Sequence, residues 1–144
     1  MTNVTVVFSR LVNFVGPPAN AFQLARTGPG ATGNVTLAVD LTGSTATQTI
    51  ARLTFSGPLT EGANSLIDGN YTLTVLNNQI QGGLQGGDNV SSLHRLYGAV
   101  NGDKAVNGLD LTAFCSAFGT TIGNAAYVDF LESACTLAVA ASSD

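Results

Sequence analysis

Between Ala99 and Asp110 the chain carries oxygen-bearing side chains at the spacing of a metal loop: Asn101, Asp103, Asn107 and Asp110. A calcium loop of the EF-hand type surrounds its ion with donors at positions one, three, five, seven, nine and twelve, the seventh being a backbone carbonyl. It turns sharply at a glycine in position six. With Ala99 as position one, Asn101, Asp103, the Ala105 carbonyl, Asn107 and Asp110 take positions three, five, seven, nine and twelve, and the aliphatic Val106 takes position eight. Two positions depart from the pattern. Ala99 removes an anionic ligand, while Lys104 brings a cation to the turn and, having a Cβ, resists the left-handed backbone that glycine adopts freely. The spacing leaves two readings: a weak calcium site, or a relic in which Asn101 and Asp103 bond their own backbone and no ion is held.

The remaining chemistry-bearing residues form weaker patterns. His94 is the sole histidine and stands between Leu93 and Arg95 with no Ser or Cys placed to act as its nucleophile, so a packing or surface role is expected. Asp40, Glu61 and Asp68 each lie at a turn. They would serve glycoside hydrolysis only if the fold brought two together, and solvated loop charge is the expectation. Gly82 to Gly87 lacks the lysine of a phosphate-binding loop. Asn3, Asn34, Asn70 and Asn89 open N-glycan acceptor triplets, which chance explains in a Thr-rich strand protein. Cys115 and Cys135 lie outside any Cys-x-x-Cys pair; they fit either one disulfide or two buried thiols.

Composition narrows the classes further. Hydrophobic residues make up 44% of the 144 residues and charged ones 10%, against roughly 25% charged in an ordinary soluble domain. Such a chain can build a core and is not a disordered polar segment. The five Lys and Arg residues (Arg10, Arg26, Arg52, Arg95, Lys104) are scattered through a chain of net charge −4. That scatter argues against nucleic acid or an anionic membrane surface, either of which requires clustered cations. No apolar run approaches the ~20 residues of a membrane span, and Met1-Thr2-Asn3 does not open an export signal. Many Thr and Gly with few charges is the composition of sheet proteins outside cells, where hydroxyls solvate the outer face.

The elements that must position these groups change character along the chain. Residues 1–85 read as short strands: Val4, Val6 and Phe8, then Val35, Leu37 and Val39, then Ala51, Leu53 and Phe55, then Tyr71, Leu73 and Val75 recur with period two. Gly and Pro clusters separate them, which predicts an antiparallel β-sandwich. Gln81 to Asp88, with four glycines, reads as a flexible linker to a second unit over residues 86–144. There Leu111, Phe114, Cys115 and Phe118 fall at helical spacing as a buried stripe, behind Asn107 as N-cap and ahead of Gly119 as stop. Tyr127, Phe130, Leu131, Ala134 and Leu137 suggest a second helix. Two antiparallel helices would bring Cys115 and Cys135 within reach of a bridge, worth roughly 3 kcal/mol.

His94-Arg95-Leu96-Tyr97-Gly98 running into Val-Asn-Gly-Asp and then Val-Asn-Gly-Leu-Asp-Leu resembles the dockerin-type calcium modules at the ends of secreted planctomycete proteins. The stretch Leu66 to Val75 resembles the last part of the immunoglobulin-like sandwich that precedes such modules. The resemblance is strongest from Leu66 to Gly119 and loose before Arg52. It implies an immunoglobulin-like β-sandwich followed by a degenerate dockerin-like helical module, in a secreted or surface-attached, non-catalytic setting. In the family a second calcium loop follows a pattern that Tyr127, Phe130, Leu131 and Glu132 match. Here Ala134 and Thr136 occupy its ligand positions, so the second site is expected to be lost.

The resulting expectation is a non-enzymatic extracellular structural or adhesion protein whose partner is another protein, a second copy or a polysaccharide. Carbohydrate binding has thin support, because there is no Trp and Tyr71, Tyr97 and Tyr127 each fall in an apolar pattern. The resemblance also suggests that the sandwich lacks its first strand, which would expose an edge beside an apolar groove. Thr136 to Ala141, apolar and free of Pro and Gly, either completes the second helix or supplies a strand to that edge in another copy.

Overall fold

The computed structural model describes residues 1–99, 104–121 and 135–142. The strands are β1 (Asn3–Phe8), β2 (Phe22–Gly28), β3 (Gly33–Asn34), β4 (Thr36–Asp40), β5 (Ile50–Ser56), β6 (Thr60–Glu61), β7 (Ser65–Leu66), β8 (Gly69–Val75), β9 (Asn89–Arg95) and β10 (Cys135–Val139). A helix, α1 (Gly108–Ala117), falls between β9 and β10 in the chain. The protein is mainly β, as its period-two segments require. One four-stranded sheet runs β10-β1-β5-β4, a second runs β3-β2-β8-β9, and β6 pairs with β7.

This order is that of an immunoglobulin sandwich. Taking β1, β2, β3, β4, β5, β8 and β9 as strands B, C, C′, D, E, F and G reproduces both of its sheets, and β10 then holds the place of strand A. Inward side chains of the two sheets make the core: Val4, Val6 and Phe8 of β1 and Ala51, Leu53 and Phe55 of β5 face Phe22 and Leu24 of β2 and Tyr71, Leu73 and Val75 of β8. Phe8 meets Phe14 and Phe22 edge-on, with ring centroids 6.2 and 6.3 Å apart, the arrangement that the ring quadrupole favours. At the start of β8 the Tyr71 hydroxyl donates to the Ile67 carbonyl at 2.6 Å, the tyrosine corner of such sandwiches.

Three expectations are corrected. The sandwich does not stop near residue 85, because β9 and β10 complete its two sheets. Residues 81–88 are no linker between units but part of the ordered connection from β8 to β9. Gly82, Gly83, Gly86 and Gly87 all hold positive φ there, and Leu84 is buried with its N–H donated to Asn77 Oδ1. A Cβ on Gly83 would stand 2.9 Å from that oxygen, so the turn requires glycine. Finally, Leu137 belongs to a strand, not a helix, and Thr136 to Ala141 does not complete a second helix. The helical pattern from Tyr127 to Ala134 lies outside the described residues.

β10 runs parallel to β1, with Val4 opposite Cys135 and Phe8 opposite Val139. Its side chains alternate, Cys135 and Leu137 half-buried and Val139 fully buried while Thr136 and Ala138 face outward.

Burial raises the Tyr71 phenol above its ordinary range, with Arg26 opposing the effect. The neutral form is therefore favoured in the folded state. The stability this confers is complete below the unfolded value near 10 and is lost as pH rises through the folded value. Tyr71→Phe should destabilise the fold by about 1 kcal/mol at neutral pH, because the Ile67 carbonyl loses its donor. It should also lessen the fall in stability above about pH 10. Urea unfolding of both proteins on either side of that pH checks the pair of outcomes.

Candidate functional site

The polar residues that the fold gathers lie at the pole where β9 ends and β8 begins. Arg26 follows Phe22 and Leu24 in the inward register of β2 and is 6% exposed. A buried guanidinium needs acceptors, and Arg26 donates to the carbonyls of Ala31 and Asp68. Gly69 makes room for it, since a Cβ there would lie 2.5 Å from Arg26 Nε.

Arg95, at the end of β9, is the centre of a second cluster. It pairs with Glu61 at 2.6 Å and with Asp68. Asp68 Oδ1 also accepts the Tyr97 N–H at 2.9 Å, and the Arg95 guanidinium sits 5.8 Å from the centroid of the Tyr97 ring. One side chain thus ties the β6–β7 hairpin, the turn before β8 and the first residues beyond β9. The fold does bring two of the three candidate carboxylates together, Glu61 and Asp68. They converge on one guanidinium, which pairs with both. Asp40 stands apart at the end of β4. There the Thr42 N–H and hydroxyl both donate to its carboxylate and hold it below the ordinary range.

His94 is half-buried and pairs in register with Asn70 of β8. Among the described residues, no three His, Cys, Asp or Glu side chains gather where they could hold a metal ion.

Asn101 and Asp103, at loop positions three and five, lie outside the described residues. The rest of the loop is built around the start of α1. Asn107 has extended backbone and caps the helix, its Oδ1 accepting the Leu109 N–H at 2.8 Å; Asp110 Oδ2 accepts the Asn107 N–H at 2.9 Å. The two form a reciprocal capping box, and Asp110 is 3% exposed. Lys104 has φ 69°, the left-handed turn that position six demands, although a lysine was expected to resist it. The Ala105 carbonyl follows directly. The described donors, the Ala105 carbonyl, Asn107 and Asp110, are oxygens, the ligand type that calcium prefers.

The helix forms where its cap and its Gly119 stop place it, yet its apolar stripe is not buried. Leu111 is 62% exposed, Phe114 44% and Phe118 77%; the two Phe rings pack on each other with centroids 5.7 Å apart. Cys115, expected on a buried face, is exposed, Cys135 is half-buried in β10, and both are free thiols. Sequence reading missed Arg26 and Arg95. The available signal was Arg26 continuing the inward series of Phe22 and Leu24, with a lone glycine at residue 69 to accept it.

No family model, curated protein or solved structure matches the chain. No helix among the described residues is long and apolar enough to cross a membrane.

A left-handed lysine is strained by about 1 kcal/mol relative to glycine, and the cap is worth about the same. Lys104→Gly should accordingly slow amide exchange across the first turn of α1 by roughly fivefold, whereas Asn107→Ala should speed it by a similar factor. Hydrogen exchange followed by NMR reads both.

Proposed function

We propose that the chain is a non-enzymatic structural or adhesion module of the cell surface or a secreted matrix, in which an immunoglobulin-like sandwich carries a dockerin-like loop that binds calcium weakly. The observation that carries this reading is the left-handed turn at Lys104, followed by the reciprocal Asn107–Asp110 cap. Lys104 adopts the left-handed turn that position six of a calcium loop requires, without the glycine that ordinarily supplies it. Asn101, Asp103, the Ala105 carbonyl, Asn107 and Asp110 would hold the ion, with water in place of the missing aspartate. The polar clusters of the sandwich support the non-enzymatic part, since Arg26 and Arg95 are used to fasten turns and strand ends.

One observation favours a second reading, an accessory carbohydrate-binding module. The Tyr97 ring is 60% exposed, contrary to its expected place in an apolar pattern. Arg95 lies against it and Glu61 and Asp68 sit beside it, so an aromatic platform stands next to hydrogen-bonding carboxylates. Retention on immobilised polysaccharide that Tyr97→Ala abolishes would favour this reading over the first.

The calcium loop is tested by calorimetric titration. The natural chain should bind with a dissociation constant no tighter than the ~10⁻⁴–10⁻³ M of extracellular modules. Ala99→Asp combined with Lys104→Gly should tighten binding at least tenfold, by restoring an anionic ligand and relaxing the turn. Absence of calcium heat for both proteins would refute the loop as a calcium site.

A further inference from the structure

We infer that residues 135–142 are an exchangeable strand, and that the groove beside β1 accepts this segment from a second copy of the chain. The groove's fit to this sequence is explicit, because the chain fills it with its own segment. β10 pairs with β1 alone, at the edge of its sheet. Val139 and Ala141 enter the core at 2% and 6% exposure. Beyond the strand, the Ala141 N–H donates to Ser9 Oγ at 3.1 Å and the Ser142 N–H to the Gly83 carbonyl at 3.2 Å, while Leu84 bridges to Ala141.

What makes the segment exchangeable is its tether. The connection from β9 to β10 runs from Leu96 to Ala134, far longer than two strand ends at one pole require. Both ends of the connection lie at one pole of the sandwich. Arg95 pairs with Gly69 there, and Cys135 enters opposite Val4, near Met1, whose carbonyl accepts the Leu66 N–H. The strand therefore runs from that pole toward Leu84 at the other. Within the connection, α1 buries just Asp110 and Ala117, and the hydrophobic core of the sandwich contains none of its residues.

In the self-filled and exchanged forms every β1–β10 contact is the same. The balance between them is set by the effective concentration of the tethered strand against that of other copies. Dilute protein stays self-filled. Concentrated protein, once opened and refolded, exchanges; reciprocal exchange closes a dimer and serial exchange grows a head-to-tail fibre.

A cross-link placed on the outer face of the pair reads the two forms directly. Thr5 and Thr136 are register partners whose side chains face away from the core, and parallel neighbours stand at disulfide-compatible spacing, about 4.8 Å. The full chain would carry Thr5→Cys and Thr136→Cys with Cys115→Ser and Cys135→Ala. It would be refolded dilute or near millimolar concentration, oxidised, and run on a non-reducing denaturing gel. We expect an internally bridged monomer from the dilute sample and a reductant-sensitive ladder of dimers and larger species from the concentrated one. Internally bridged monomer alone at both concentrations would overturn exchange, and failure to bridge at all would overturn the β1–β10 register on which it rests. A control keeping Thr5 and carrying Thr136→Cys can form nothing larger than a covalent dimer, so species above dimer from that control would also overturn the inference.

Discussion

The fold depends on satisfying the second side of β1. Val4, Val6 and Phe8 are buried to 1% or less, and a strand so deep in the core cannot leave its main-chain donors and acceptors unpaired. β5 satisfies one side in antiparallel register; β10 satisfies the other. Because β10 comes from far downstream and enters at the pole where β9 finishes, its pairing is parallel. The excursion from β9 to β10, which carries α1, leaves and returns at that same pole.

The two poles of the sandwich are specialised accordingly. At one, Arg95 holds Glu61, Asp68 and the Tyr97 ring together, with Arg26 binding the Asp68 carbonyl from the interior. This fixes the point at which the chain departs. At the other, the glycine turns between β8 and β9 place Leu84 and the Gly83 carbonyl where Ala141 and Ser142 arrive. The glycines that looked like a separator between two units form the socket for the end of the closing strand. At Gly83 a Cβ would meet Asn77 Oδ1, the acceptor of the Leu84 N–H.

Much of the sandwich was legible because its central strands alternate cleanly. Val4, Val6 and Phe8, or Tyr71, Leu73 and Val75, give no other period. β2 was obscured because its third inward position is Arg26, a residue that belongs outside by every composition rule until its two carbonyl acceptors are seen. β10 was obscured by its neighbours: Tyr127, Phe130, Leu131 and Ala134 are spaced for a helix, and Leu137 extends that spacing as readily as it alternates with Cys135 and Val139. Of the candidate site, the cap at Asn107 and the stop at Gly119 were legible from local chemistry alone. Exposure of Leu111, Phe114 and Phe118 was not, since periodicity tells which residues share a face and not whether anything covers it.

The turn at Lys104 shows how a helix cap can hold a strained residue in place. In an ion-bound loop the metal and the helix cap pull the backbone along the same path, so neither is the sole cause of the turn. Here Asp110, at position twelve, is buried and accepts the Asn107 N–H, while Asn107 accepts from Leu109. These bonds fix the chain immediately after the turn. A reciprocal cap is worth about 1 kcal/mol, and a non-glycine residue in the left-handed region costs about the same. The cap therefore offsets the strain that Lys104 introduces. The start of α1 therefore rests on cap bonds in which Ala99 and Lys104 take no part.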